Sequence, residues 1–247
     1  MIDFNGKTFL VTGASAGIGS AVSKLLADLG ASVIITGRNQ ERLLHIAAEM
    51  NEKTTVIQAD LTVESELEAL VSSMPGVDGM VHCAGVIAPY PIKYLQLKHL
   101  RNMFAINFDS ACLLTAKLMQ LKKVNNPASF VFISSVSAHH PYVGGSLYAA
   151  SKAALESFSR SIALEFSSKG IRSNCVSAGL VKTEMFAQTQ RALSEDKLQE
   201  MINSYPLGIG NPIDVANAVA FLLSKQASWI TGSVINLDGG LLLTNKK

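Results

Sequence analysis

Two pairs of tyrosine and lysine in the sequence have a spacing that could support proton transfer. Tyr148 and Lys152 are four residues apart, as are Tyr94 and Lys98, and side chains at this spacing lie one turn apart on the same face of a helix. Only the first pair follows an apolar, strand-like run, residues 129–134. Chemistry in doubly wound sheets gathers outside the carboxyl ends of strands. We therefore take Tyr148 and Lys152 as the candidate pair and expect Tyr94 and Lys98 to form a solvated helix face.

A glycine-rich turn is the second feature that could do chemistry. The segment Gly13-Ala14-Ser15-Ala16-Gly17-Ile18-Gly19 lies between the first apolar run and the first amphipathic segment. Glycines there let the chain turn sharply and let a phosphate approach the backbone N–H groups at a helix N-terminus. This position favours a dinucleotide-binding turn over a purely structural one. Its binding residues would be Gly13, Ser15, Ala16, Gly17, Ile18 and Gly19.

The same turn also matches the G-x-S-x-G motif of a serine hydrolase, with Ser15 as the nucleophile. In that enzyme class the serine follows several strands, and the catalytic histidine comes late in the chain. Here the serine lies in the first turn, and all five histidines precede residue 141. The order of residues therefore disfavours a hydrolase, which remains an alternative.

The elements that must position these residues alternate along the chain. Short apolar runs without polar alternation predict buried strands at 7–12, 32–36, 54–59, 78–83, 129–134, 171–177 and 232–237. Amphipathic segments predict helices at 17–29, 39–50, 63–74, 97–124, 145–168 and 212–224. This alternation predicts an α/β fold, a parallel sheet with helices on both faces, in one domain. The irregular region 178–211 predicts a lid at about 180–210.

Composition excludes several classes of protein. Of 247 residues, 48% are hydrophobic and 16% are charged, and 21 basic against 19 acidic residues give a net charge of +2. With no basic tract, nucleic-acid and membrane-surface binding have no electrostatic support. The three cysteines have no C-x-x-C spacing for zinc and are too few for a disulfide framework. Without a signal peptide or an apolar span, we expect a cytoplasmic protein without a bound metal.

Several motifs occur together in a fixed order along the chain. They are Thr12-Gly13-x-x-x-Gly17-x-Gly19, Asn107, Ser135, Tyr148-x-x-x-Lys152, Trp229-Ile230-Thr231-Gly232 and Asp238-Gly239-Gly240. This set resembles the short-chain dehydrogenase/reductase family over essentially the whole chain. The resemblance implies a single Rossmann-like, doubly wound parallel sheet of about seven strands in the order 3-2-1-4-5-6-7. It also implies hydride transfer between a nicotinamide cofactor and a carbonyl or alcohol.

The resemblance assigns roles to four residues. Tyr148 would be the general acid in reduction and the base in oxidation, and Lys152 would lower its pKa from about 10 and bind the nicotinamide ribose. Ser135 would polarise the substrate oxygen, and Asn107 would position a water in the proton relay. A nucleotide-sensing protein that binds NADP without turnover is the non-enzymatic alternative, and the intact Tyr148 and Lys152 argue against it.

Two positions depart from the family pattern. His82-Cys83 stands where the family has two asparagines, and Ala178 stands where it has proline. The first change removes an amide that ties neighbouring strands, and the second removes a restraint on φ at the nicotinamide wall. Since neither change touches the proton donor, we expect activity to survive.

The residues after the second predicted strand bear on the cofactor. A site for NAD places an acid there, but Arg38 occupies the position, and its guanidinium suits a 2′-phosphate. We therefore expect NADP(H) to be preferred, with NAD(H) possible because Ala16 stands where many NADP-dependent relatives have a second basic residue. By resemblance, the other cofactor-binding residues are Asp60, Leu61, Ala84, Gly85, Val181 and Thr183.

The sequence says less about the substrate. Candidate pocket residues are 86–90, 139–142, Met185, Phe186 and Tyr205, a mostly apolar set. This set suits sugar-derived, fatty and alicyclic ketones alike. A 3-oxoacyl-carrier-protein substrate is one possibility, although no basic patch for an acidic carrier stands out.

Low charge also bears on assembly, because apolar surface must be buried within one chain or between copies. Small residues in the helix that begins near Tyr148 permit close approach, and Leu241-Leu242-Leu243 follows the last strand. By resemblance, pairing would use helices 107–124 and 145–168, with a second two-fold interface near the C-terminus. We expect a homotetramer.

Overall fold

The chain folds around a seven-stranded parallel sheet. The computed structural model describes residues 1–192 and 194–244. The strands are β1 (Thr8–Thr12), β2 (Ser32–Gly37), β3 (Thr54–Gln58), β4 (Val77–His82), β5 (Val124–Ser135), β6 (Ile171–Ala178) and β7 (Val234–Leu237). They lie in the order β3-β2-β1-β4-β5-β6-β7, which confirms the order that the resemblance implied.

Helices cover both faces of the sheet. They are α1 (Gly17–Asp28), α2 (Gln40–Ala47), α3 (Glu64–Ser73), α4 (Leu97–Phe104), α5 (Ser110–Gln120), α6 (Ser146–Phe166), α7 (Glu184–Ala192), α8 (Glu195–Asn203) and α9 (Pro212–Leu223). Side chains of successive strand residues point to opposite faces of the sheet. Val11 packs in the core on the face covered by α1, α2 and α9. Its neighbour Leu10 packs in the core on the other face, covered by α3, α5 and α6. Burial of both faces explains the unbroken apolar runs.

The direction of winding changes at β1. From β1 the chain continues outward through β2 and β3 and then returns to place β4 on the other side of β1. Val11 in β1 therefore pairs with Ile35 in β2 on one side and with Val81 in β4 on the other. The connections therefore diverge between the carboxyl ends of β1 and β4. Such a crevice is where doubly wound sheets bind ligands.

The helix predicted at 97–124 occurs over residues 97–120, but it is neither regular nor as long as predicted. It is divided into α4 and α5 by a π turn at Ala105–Asp109, in which the Ser110 N–H bonds the Ala105 carbonyl. It also ends early, because Lys122 has a φ of +54° and the chain leaves the helix there without a glycine to signal the stop. Residue 124 already belongs to β5.

The region 178–211 is also more regular than predicted, since it contains α7 and α8. Leu198, Met201 and Ile202 follow the i, i+3, i+4 spacing of a helix with one apolar face, a signal that the polar flanks concealed. The other predicted elements occur within a few residues of their expected bounds. Among the helices that the structure describes, none is long and apolar enough to cross a membrane.

Candidate active site

A cleft of about 450 Å³ opens outside the carboxyl ends of β1 and β4. The predicted cofactor residues that line it are Gly13, Ser15, Ala16, Gly17, Ile18, Gly19, Arg38, Asp60, Leu61, Ala84, Gly85 and Thr183. Three predicted cofactor residues are not among them: Tyr148, Lys152 and Val181. Val181 is buried and pairs with Gly210. The cleft also includes residues that sequence reasoning missed, chiefly direct neighbours of predicted ones: Gly37, Ala59, Thr62, Ile106, Ser110 and Glu184.

The glycine-rich turn leaves the N-terminus of α1 open to a ligand. Gly13 has a φ of +63°, and a Cβ atom there would lie 2.7 Å from the Ala84 nitrogen, so only glycine fits between β1 and the loop after β4. Ala16 caps α1 without a side-chain hydrogen bond, and the first turn holds no acidic residue. The N–H groups and positive end of the helix dipole therefore suit an anion.

Arg38 and Asp60 face each other at the end of the cleft formed by β2 and β3. Burial would raise the pKa of Asp60, but hydrogen bonds from the Thr62 hydroxyl and N–H, together with the charge of Arg38, lower it. The Arg38 carbonyl accepts a hydrogen bond from Gln58, which fixes the backbone of this turn. Arg38 therefore lines the cleft with an anchored backbone and an exposed side chain.

Tyr148 and Ser135 meet at the other end of the site. Tyr148 lies in the first turn of α6, and Ser135 ends β5. Burial raises the pKa of the Tyr148 hydroxyl, while a hydrogen bond with Ser135 acts in the opposite direction. The Ser135 hydroxyl also accepts a hydrogen bond from the Ser137 N–H at 3.2 Å. Two hydroxyl groups thus converge at the carboxyl end of β5.

Lys152 lies beneath these hydroxyls. Its Nζ donates to the Ile133 carbonyl at 2.8 Å and lies 5.8 Å from the centre of the Tyr148 ring. Burial lowers the pKa of Lys152 to about 8. A Cβ atom on Gly85 would lie 3.4 Å from this Nζ, so the lysine borders the loop that forms the cleft wall. Lys152 connects Tyr148 to the cofactor cleft.

Asn107 lies within the π turn and is fully buried. Its Oδ1 accepts from the Val86 N–H at 2.8 Å, and its Nδ2 donates to the Val86 carbonyl at 3.0 Å and to the Ser151 hydroxyl at 3.1 Å. The side chain therefore holds the loop after β4 against α6. Its predicted role in placing a water stays a prediction.

The chain is similar over nearly its full length to known proteins. The family model described as enoyl-(acyl carrier protein) reductase matches residues 13–242. A 3-oxoacyl-[acyl-carrier-protein] reductase FabG of Rickettsia felis is 35% identical over 244 residues, covering 98% of this chain and 100% of that protein. The chain belongs to the short-chain dehydrogenase/reductase family. It is an oxidoreductase that acts on carbonyl or alcohol groups.

Two solved structures have the same fold, the first of them described as a short-chain type dehydrogenase/reductase. One from Mycobacterium ulcerans is 30% identical, with a TM-score of 0.88, and the match covers 98% of this chain and 91% of that one. An actinorhodin polyketide ketoreductase variant with NADPH is 26% identical, with a TM-score of 0.89, and the match covers 95% of this chain and 97% of that one.

His82 departs from the family pattern but still connects two strands. Its Nδ1 lies 3.1 Å from the Thr12 hydroxyl, which accepts from the Ala84 N–H at 3.2 Å. The family's amide is absent, as the sequence implies, and the imidazole contacts β1 in its place. Burial and the charge of Lys152 lower the pKa of His82 to about 3, and its Nε2 has no hydrogen-bond partner in the structure.

Cys83, the second departure at this position, is a half-buried thiol that lines the cofactor cleft. Burial raises its pKa to about 12, so it is protonated at neutral pH. Within residues 1–192 and 194–244, no cluster of three histidine, cysteine or acidic side chains could hold a metal ion.

The wall that lacks the family proline is contacted by Tyr205, which follows α8. The Tyr205 hydroxyl accepts a hydrogen bond from the Leu180 N–H at 3.0 Å, and a Cβ atom on Gly179 would lie 2.9 Å from the Tyr205 ring. Tyr205 was predicted as a pocket residue. In the structure it packs against the backbone of Gly179 and Leu180, directly after the end of β6. The Tyr205 side chain thus restrains this backbone where the family has proline.

The predicted substrate loops contact one another beside Tyr148. The Tyr90 N–H donates to the Gly144 carbonyl at 2.8 Å, which joins the loop after β4 to the loop before α6. Burial raises the pKa of Tyr142 to about 12, and the charge of Tyr148 acts in the same direction. Among the other candidates, Val86, Ile87 and Met185 line the cofactor cleft, whereas Phe186 is buried.

The comparison pair Tyr94 and Lys98 does not share a helix. Tyr94 ends a 3₁₀ turn, Ile92–Tyr94, and Lys98 lies in α4. The Tyr94 side chain is 61% exposed, and its cation neighbour is Lys93, at 4.9 Å from the ring centre. The expectation of a solvated pair is confirmed, but the expectation of one helix face is wrong.

Proposed function

We propose that this protein reduces the keto group of a 3-oxoacyl thioester with NADPH and uses Tyr148 as the general acid. The observation that carries the proposal is the meeting of the Tyr148 and Ser135 hydroxyls above Lys152, next to a cleft with Arg38 at its far end. This arrangement supplies a proton donor, an oxygen-binding hydroxyl and a cation, the three groups that carbonyl reduction requires.

The chain's residues divide the chemistry between them. The nicotinamide cofactor supplies the hydride to the carbonyl carbon when it is bound. Tyr148 donates its proton to the carbonyl oxygen, which becomes the hydroxyl of a secondary alcohol, while Ser135 donates a hydrogen bond to the same oxygen. Lys152 then stabilises the tyrosinate, because a nearby cation favours the ionised phenol. In alcohol oxidation Tyr148 would be the base.

The cleft fits a nicotinamide dinucleotide with a 2′-phosphate. The open N-terminus of α1 suits the pyrophosphate, and Gly13 permits its close approach. β2 ends at Gly37 and is followed by Arg38, where an NAD site has an acid. A guanidinium matches a phosphate in charge and geometry. NADP(H) is therefore the proposed cofactor, with NAD(H) as the weaker one.

The substrate class rests on the relatives and on the apolar loops. The Rickettsia felis relative is named for reduction of a 3-oxoacyl group, and the actinorhodin relative is named as a polyketide ketoreductase. The family model's description names an enoyl group instead. Hydroxyls from Ser135 and Tyr148 that converge on one point favour an oxygen, and hence the keto group.

The test is a comparison of two thioesters with the purified protein. Acetoacetyl-coenzyme A should be reduced faster with NADPH than with NADH, as measured by the loss of cofactor absorbance. Crotonyl-coenzyme A should give no comparable loss of absorbance. Reduction of crotonyl-coenzyme A alone would overturn the keto assignment. Tight NADPH binding with no reduction of a broad carbonyl panel would instead favour the non-catalytic sensor.

The proposal extends to assembly and location. Leu113 on α5 and Leu164 on α6 are 50% and 83% exposed, which supports pairing of these helices in a homotetramer. At the C-terminus, Leu243 is exposed while Leu241 and Leu242 are partly buried. The three cysteines are unpaired, as expected for a protein of the reducing cytoplasm.

A further inference from the structure

A buried carboxylate lies behind the site and has no part in the proposed chemistry. Glu156 follows Lys152 by one turn of α6, and only 1% of its side chain is exposed. Its Oε1 accepts a hydrogen bond from the Ser134 hydroxyl at 2.7 Å, and its Oε2 lies 2.7 Å from the His139 Nε2. A buried charge is costly unless it is paired and hydrogen-bonded, and here both oxygens have partners.

These two partners lie on either side of Ser135. Ser134 precedes it in β5, and His139 follows the 3₁₀ turn Val136–Ala138 that begins directly after it. The turn itself bonds Ser135, whose hydroxyl accepts from the Ser137 N–H. One carboxylate on α6 therefore fixes the chain before and after Ser135, on the same helix that carries Tyr148.

We propose that Glu156 is a positioning residue that holds the Ser135 hydroxyl in register with the Tyr148 hydroxyl. The inference rests on the proposed function for its kinetic consequence, but the geometry concerns this chain alone. A displaced Ser135 would lose its hydrogen bond to Tyr148, and that bond is what opposes the rise in the Tyr148 pKa caused by burial. Small displacements at a reacting centre have large kinetic effects.

Several other groups with charge or titratable protons surround this carboxylate. Arg160 approaches Oε2 to 3.7 Å from the next turn of α6. On β6, burial raises the pKa of the Cys175 thiol to about 12, with smaller effects from Glu156, Arg160 and Lys152. With His139 on the turn after β5, these groups form the charged surroundings of Glu156, and a pH profile must be compared between variants rather than interpreted alone.

The test compares Glu156→Ala, Glu156→Gln and the exposed glutamate of the same helix, Glu165→Ala, as the matched control. Glu156→Ala should lower kcat at least about tenfold. It should also shift the alkaline limb of the pH–rate profile to higher pH, because the Tyr148 pKa would increase. The dissociation constant of NADPH should stay within about twofold, because the cofactor cleft does not include Glu156. Glu156→Gln should recover part of kcat, since its amide oxygen still accepts from Ser134.

Hydrogen exchange provides a readout that needs no activity. Peptides over residues 134–140 should exchange faster in Glu156→Ala than in the wild type, while peptides over β1 stay unchanged. If Glu156→Ala does not fold, the same measurements are made on Ser134→Ala and His139→Ala, because each of these variants removes only one contact of Glu156. Unchanged exchange and an unshifted pH profile would overturn the inference. A wild type that reduces no carbonyl substrate would overturn the proposed function and leave exchange to decide this one.

Discussion

The Arg42 guanidinium and the Glu184 carboxylate lie 2.8 Å apart and join α2 to the start of α7. The two residues are 142 positions apart in sequence, and Glu184 lines the cofactor cleft. Next to it, Thr183 lies 3.1 Å from where a Cβ atom on Gly17 would be. The start of α7 is therefore held against α2 and against the glycine-rich turn.

This ion pair is exposed, which limits its strength. Exposed pairs contribute about 0.2–1 kcal/mol, so Arg42→Ala and Glu184→Ala should each speed NADPH release by no more than about fivefold. The double variant should release NADPH no faster than either single one. Stopped-flow measurement of release at low and high salt checks this, because salt should remove the difference. Additive effects of the two changes would contradict a direct coupling.

Tyr148→Phe should abolish nearly all carbonyl reduction and leave NADPH binding almost unchanged, because it removes one proton donor and no part of the cleft lining. Tyr94→Phe is the matched control and should be close to neutral. Steady-state kcat and cofactor fluorescence titration measure the two effects. Equal losses of kcat in both variants would show that Tyr148 is not the proton donor.

Arg38→Ala should reduce the preference for NADPH over NADH by roughly tenfold to a hundredfold, since hydrogen bonds to charged groups contribute about 1.5–3 kcal/mol. NADH binding should change little, because it has no 2′-phosphate. Fluorescence titrations of both cofactors check this, with Lys53→Ala, an exposed cation just before β3, as the control. Equal dissociation constants for the two cofactors in the unmodified protein would contradict the assignment.

His82 should make the protein less stable in acid. Its pKa is about 3 in the folded state against an ordinary value of 6.5. Between these values the unfolded chain takes up a proton and the folded chain does not, so stability falls as pH falls from about 6.5 towards 3. The wild type should lose about 1.4 kcal/mol more per pH unit in this window than His82→Asn. Urea unfolding at about pH 7, 6 and 5 measures the difference, and parallel curves would refute it.

Leu164→Glu should reduce the assembled mass if α6 pairs with its counterpart. A buried carboxylate without a partner opposes association, whereas Leu207→Glu, at an equally exposed leucine outside α5 and α6, should have no effect. Light scattering coupled to size exclusion distinguishes about four chains from one. A wild type with the mass of a single chain would refute the tetramer.

The sequence predicts the sheet well, because buried strands such as Phe130–Ile133 carry an apolar pattern that only a two-sided core explains. The sequence also predicts most of the residues that line the cleft, because strand ends and glycines are recognisable from a few neighbouring residues. The contacts of Glu156 could not be predicted, because they join a helix to residues about twenty positions earlier with no motif. Lys122 was missed for a related reason, as its left-handed backbone is set by the surrounding fold rather than by its residue type.

The π turn gives Asn107 its surroundings. A π turn closes its hydrogen bond over five residues instead of four, so it holds one residue more than a turn of α-helix. Asn107 lies in the middle of this turn, Ala105–Asp109, and is fully buried. Deleting one residue there would let the segment close into a continuous α-helix. The Asn107 amide would then lose its place against Val86, in the loop after β4.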